Sequence, residues 1–138
     1  MDDDMNYSVI VNAACARALA SPMRWGVDDC CRWVAKIIND MTGMDLMVGI
    51  EPYSDRPSAL LFIRKYAGSG LVLAARQMAL THDFPKVEAP FEGFLFGVLP
   101  GVDSPAIGIL HHGKWLCRGE SGVVVFRNNA ASLAWRWL

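Results

Sequence analysis

Cys30 and the residues around it, Trp25-Gly26-Val27-Asp28-Asp29-Cys30-Cys31-Arg32-Trp33-Val34, put a thiol where a helix should begin. Trp25-Gly26 makes a tight approach, Asp28 has a helix-capping side chain, and apolar residues then recur at 30, 34, 37 or 38, and 41, a helical period that Gly43 ends. This spacing predicts a helix over 28–42 with Cys30 in its opening turn. The unpaired amides and positive dipole end of such a turn stabilise a thiolate, the form of cysteine that attacks a carbonyl carbon. Asp29 flanks the thiol directly. Nucleophilic chemistry also needs a base, and the plainer alternative is that Cys30 is a small buried hydrophobe, the usual fate of a free cysteine.

The remaining thiols and imidazoles supply no obvious partner by spacing. Cysteines stand at 15, 30, 31 and 117, and the vicinal Cys30-Cys31 pair bridges only with strain, so reduced thiols are expected. Thiol-disulfide chemistry is disfavoured because such motifs place two residues between the cysteines. His82, His111 and His112 complete no Cys-x2-Cys or His-x3-His pattern, so neither a metal nor another cofactor is expected. His111 and His112 precede Gly113 and read as a solvated hairpin tip, while His82 reads as a surface residue.

Composition narrows the function classes. A chain of 138 residues with 53% hydrophobic and 20% charged content fits one folded domain over 1–138. A net charge of -1 gives no broad attraction for nucleic acid. No run approaches the roughly 18 apolar residues that span a bilayer. The acidic opening Met1-Asp2-Asp3-Asp4 is unlike the basic start of a signal peptide, so synthesis in a cytoplasm is expected.

The elements that would position Cys30 divide into two halves. Helical patterns occupy 6–20, 28–42, 58–67 and 72–81, with Pro22 forcing Ser21 out of helical geometry. Short β-prone runs follow at 94–99, 106–110, 114–117 and 122–126, punctuated by Pro100-Gly101, His112-Gly113 and Gly119 to Gly122. Helices first and strands afterwards predict an α+β fold: an antiparallel meander covered on one face by the helices, with the cysteine helix against its centre. The closing Leu133-Ala134-Trp135-Arg136-Trp137-Leu138 is either a final strand docked on the core or a plug that turns Trp135 and Trp137 toward a partner.

Pro22-Met23-Arg24-Trp25-Gly26 followed by Asp29-Cys30, the helix ending Thr42-Gly43-Met44-Asp45, and Gly-Ile strands closing on Ala134-Trp135-Arg136 resemble a group of small tail-associated proteins of bacteriophages and prophages. That group is similar to the NlpC-type cell-wall cysteine peptidases, which share a papain-like fold. The resemblance runs from about residue 15 to 137 and implies that Cys30 matches the nucleophile and Asp29 the residue before it. It also implies that the base belongs where this chain has Ala106, in Ala106-Ile107-Gly108-Ile109, a stretch that in active enzymes opens with histidine. The Gly-Asp-Leu element expected before that strand is Gly93-Phe94-Leu95. The orienting polar position falls near Cys117 or Arg118, and Met23 replaces a site-lining aromatic residue.

Two functions follow from this resemblance. The first is a structural or assembly component of a phage tail tip, synthesised in the host cytoplasm, contacting other tail proteins and carrying a catalytic site without its base. The second is an active cysteine peptidase cleaving peptidoglycan peptides during entry of the phage, with Cys30 as nucleophile and a base, a histidine such as His111 or His112 or another basic group, supplied from elsewhere in the chain. The first predicts a Cys30 of low reactivity.

Overall fold

Asp2 opens the first helix, α1 (Asp3–Ala20), by accepting the Asp4 amide at 2.9 Å. Asp3 and Asp4 add negative charge at the positive end of the helix dipole, and Arg17 answers at the other. The helix therefore starts earlier than its apolar stripe predicts, because a polar cap sets its first turn. Ser21, extended ahead of Pro22, ends it as expected. The second helix, α2 (Cys30–Thr42), closes on Gly43, whose left-handed φ of 78° lets its amide reach Asn39 O at 2.7 Å. Two further helices follow, α3 (Arg56–Ala67) and α4 (Leu71–Thr81). The computed structural model describes residues 2–47, 55–67, 70–101 and 104–138.

After the helices come six strands: β1 (Lys86–Val87), β2 (Leu95–Leu99), β3 (Ala106–His111), β4 (Lys114–Gly119), β5 (Gly122–Phe126) and β6 (Leu133–Arg136). They form one sheet in the order β1-β6-β2-β3-β4-β5, antiparallel at every junction. The architecture is thus α+β, helices followed by an antiparallel sheet. The expected meander holds from β2 to β5 and then breaks. The chain turns through a 3₁₀ segment at Asn128–Ala130 and returns to the far side of β2, where Trp135 lies opposite Phe96. β1, outside β6, is too short to leave a periodic signal.

Both faces of the sheet are covered, which is why every residue of β2 is buried. Phe96, Val98, Ile107, Ile109 and Trp135 meet Tyr7, Val11, Trp33, Ile37 and Ile38 from the helices. On the opposite face Leu95, Leu99, Leu110, Trp115 and Cys117 gather around Phe91, from the loop before β2. Asn128 fastens this second layer. Its carbonyl accepts Trp115 Nε1 at 2.9 Å, and its side chain exchanges bonds of 3.0 and 2.8 Å with the backbone of Phe91.

The final strand corrects one reading of the chain's end. Trp135 and Trp137 are only 5% and 4% exposed. Trp135 stacks on Phe96 at 5.4 Å, and Trp137 meets Phe94 edge-on at 5.4 Å. They belong to the core, and burial of two indoles holds the end down without any partner. Among the described residues, no helix is long and apolar enough to cross a membrane.

Gly97 and Gly108 face each other across β2 and β3, and the Trp115 indole fills the space over Gly97. A Cβ at Gly97 would lie 2.9 Å from both Leu133 O and Trp115 Cη2, and the backbone oxygen cannot yield. Gly97→Ala is expected to destabilise the fold by about 1–3 kcal/mol. The check is a lower midpoint in urea unfolding at unchanged slope.

Candidate functional site

Cys30 owes its position to the loop that leads into α2. Arg24 O accepts the amides of Val27 at 3.1 Å and Asp28 at 3.0 Å, forming a turn in which Gly26 takes a φ of 80°. Asp29, only 2% exposed, ties that turn to the helix: Oδ2 accepts the Gly26 amide at 2.8 Å and Oδ1 the Arg32 amide at 3.2 Å. Asp29, rather than Asp28, is the helix cap, and α2 begins at Cys30. The sequence offers two adjacent capping side chains, and the tertiary partner of Asp28 decides between them.

That partner is Arg118. Its side chain is fully buried, and Nη2 donates to Asp28 Oδ2 at 3.0 Å and Ser21 O at 2.9 Å. Nη1 donates to Gly119 O at 2.8 Å and Gly122 O at 3.2 Å, while Met23 N reaches Glu120 O at 2.8 Å. The loop over 21–28 is thereby bolted to the β4–β5 turn. The resemblance puts the orienting position near Cys117 or Arg118; in the structure Arg118 clamps the segment that presents Cys30. Its long reach, from β4 back to Ser21, leaves no trace in local spacing.

Cys30 lies in the first turn of α2 against the start of β3, packed with Ala106 and Cys117 on the second face of the sheet. A hydrogen bond from the Cys31 thiol, joined by the amides of Ile107 and Cys31, holds its pKa below the ordinary thiol value despite burial and the nearby Asp29 charge. The same interaction, with burial, raises Cys31 well above it. Burial and the neighbouring Cys30 push Cys117 up to about 12. The site therefore has one ionisable thiol beside two that stay protonated.

No imidazole accompanies it. The three histidines of the chain all lie elsewhere. His111 ends β3 five residues beyond Ala106, roughly 17 Å away along a strand. It is half-buried rather than a solvated tip: Nε2 lies 3.2 Å from Ser8 Oγ, and its ring meets Tyr7 edge-on at 5.5 Å. Burial and His112 lower its pKa. His112, at φ 51° in the turn with Gly113, lies against His111 with ring centroids 3.9 Å apart and planes tilted by 47°. Both line a cleft of about 400 Å³ between Ser8, Phe91 and Glu92. His82 stacks on Phe84 at 5.6 Å after α4. Among the described residues, no three His, Cys, Asp or Glu side chains group so as to hold a metal ion.

Partial burial alone would raise the Asp28 carboxyl, but the Arg24 amide and the Arg118 guanidinium outweigh it and hold its pKa below the usual carboxylate value. A carboxylate so lowered contributes stability that is complete above the unfolded pKa of about 3.9 and disappears as pH falls through the folded value. Asp28→Asn is expected to cost about 1.5–3 kcal/mol at pH 7 and to remove this component of acid sensitivity. Urea unfolding at pH 7 and pH 3 measures both, and an Asp28→Asn deficit that persists undiminished at pH 3 would contradict the assignment.

No curated protein and no solved structure matches the chain. A family model described as a domain of unknown function, DUF6950, matches residues 4–137, and the chain belongs to that family.

Proposed function

We propose that this protein is a structural component of a phage tail tip, built on an NlpC-type papain-like fold whose catalytic site has lost its base. The observation that carries the reading is the surroundings of Cys30. The sulfur sits in the first turn of α2 and accepts the amide of Ile107, the residue after Ala106. The resemblance puts the base that takes the thiol proton at position 106, and Ala106 offers a methyl group there. The phage-tail part of the proposal is supported by the sequence resemblance around Pro22–Gly26, Asp29-Cys30 and Ala134–Arg136. Within it the chain would act in the virion tail, against other tail proteins, with peptidoglycan as a surface it meets during entry of the phage.

A second reading, a working peptidase, is favoured by the lowered pKa of Cys30. A thiolate without a proton donor for the leaving amine turns over poorly, because expulsion of an amine needs protonation that a general acid accelerates by about 10²–10⁴. The two readings separate in one experiment. Wild-type protein incubated with purified peptidoglycan is expected to release no fragments, while Ala106→His is expected to gain measurable hydrolysis that Ala106→His with Cys30→Ala loses. Release by wild type that Cys30→Ala abolishes would establish the peptidase instead. Mass spectrometry of purified particles, in which the chain should appear at stoichiometric rather than trace level, tests the tail assignment.

A further inference from the structure

We propose a second site, a nucleophile–base pair of Ser8 and His111, in the cleft bounded by α1, the loop before β2 and the β3–β4 turn, which hydrolyses a small apolar ester. The site is separate from Cys30, and its chemistry does not involve that thiol. Ser8 is half-buried on α1, and its Oγ lies 3.2 Å from Nε2 of His111, the last residue of β3. A hydroxyl within hydrogen-bond reach of an imidazole nitrogen, both opening on a cavity, is the pairing that makes serine a nucleophile. The two residues are 103 positions apart in the chain, so only the packing of α1 on the sheet brings them together.

The imidazole is positioned by the same helix that carries the hydroxyl. Tyr7 donates its hydroxyl to Leu110 O at 2.6 Å, fixing the strand residue before His111, and its ring meets the His111 ring edge-on at 5.5 Å. Burial and the neighbouring His112 lower the pKa of His111, so at pH 7 the ring is neutral and can take a proton. With its own proton on Nδ1, the ring presents an acceptor at Nε2 to the Ser8 hydroxyl.

The cleft selects the substrate. Its volume of about 400 Å³ suits a small molecule, and Phe91 and Phe94 supply an apolar wall for the acyl or alcohol group. Asp4 and Glu92, both exposed, also line it and disfavour an anionic substrate. In the first step Ser8 Oγ bonds to the ester carbonyl carbon while its proton passes to His111 Nε2. The carbon–oxygen bond to the alcohol then breaks, and the alcohol leaves with that proton. Water, deprotonated by His111, attacks the acyl-serine, releasing the carboxylic acid and restoring the Ser8 hydroxyl. An ester fits this pair better than an amide, because an alcohol oxygen departs with less protonation than an amine nitrogen requires.

The test uses the full chain with two probes, p-nitrophenyl butyrate for turnover and an alkyl fluorophosphonate for covalent capture of an activated serine. Wild type is expected to release p-nitrophenol above the buffer rate and to carry a fluorophosphonate adduct that peptide mass spectrometry maps to Ser8. Ser8→Ala, at a helical position where alanine favours the helix, should lose both signals with an unchanged circular dichroism spectrum. His111→Gln should lower turnover about 100-fold and slow the labelling of Ser8. Wild type without an adduct, an adduct confined to another residue, turnover that survives in Ser8→Ala, or labelling and turnover indifferent to His111→Gln would each overturn the proposal.

Discussion

Everything distinctive about the candidate site depends on one buried cation. The Arg118 guanidinium joins Asp28 and the Ser21 carbonyl on one side to the Gly119 and Gly122 carbonyls on the other. A buried charge is tolerable only when most of its donors are met, and here only Nε lacks a partner. The cation therefore fixes the geometry of the loop around it. With Asp28 committed to Arg118, Asp29 is left to cap α2, and the cap makes Cys30 the first helical residue. A substitution in β4 would thus act on a sulfur that it does not touch.

The sheet supplies the other half of the arrangement. Because Trp115 packs over Gly97 and Leu99 over Gly108, and Asn128 anchors the second face, β3 is held between two packed layers. Its first residues can then serve as a fixed wall for the thiol, with the Ile107 amide directed at the sulfur. The same packing keeps His111 at the far end of the strand, held by Ser8 and Tyr7. A thiol stabilised as its anion without a proton shuttle is chemically reactive toward small electrophiles yet poorly suited to amide hydrolysis.

Much of this was readable in the chain. The apolar period after Cys30 and the αL glycine at 43 fixed the body and end of α2, and four strand runs marked out β2 to β5. What escaped was long-range. The choice of Asp29 over Asp28 as cap rests on an arginine ninety residues away. The placement of β6 beside β2 depends on how Trp135 stacks on Phe96, and β1 exists only because β6 is there to pair with it. The lowered pKa of Cys30 likewise comes from amide and thiol contacts that spacing cannot reveal, although the position at a helix start was visible from the beginning.

The most direct test of the account is the pH dependence of iodoacetamide alkylation at each cysteine, followed by peptide mass spectrometry on the native protein. Cys30 is expected to be modified first, with a midpoint below that of an ordinary free thiol, while Cys31 and Cys117 remain protected. A Cys30 that stays reactive down to about pH 4, the signature of a thiolate paired with an imidazolium, would contradict a site without a base.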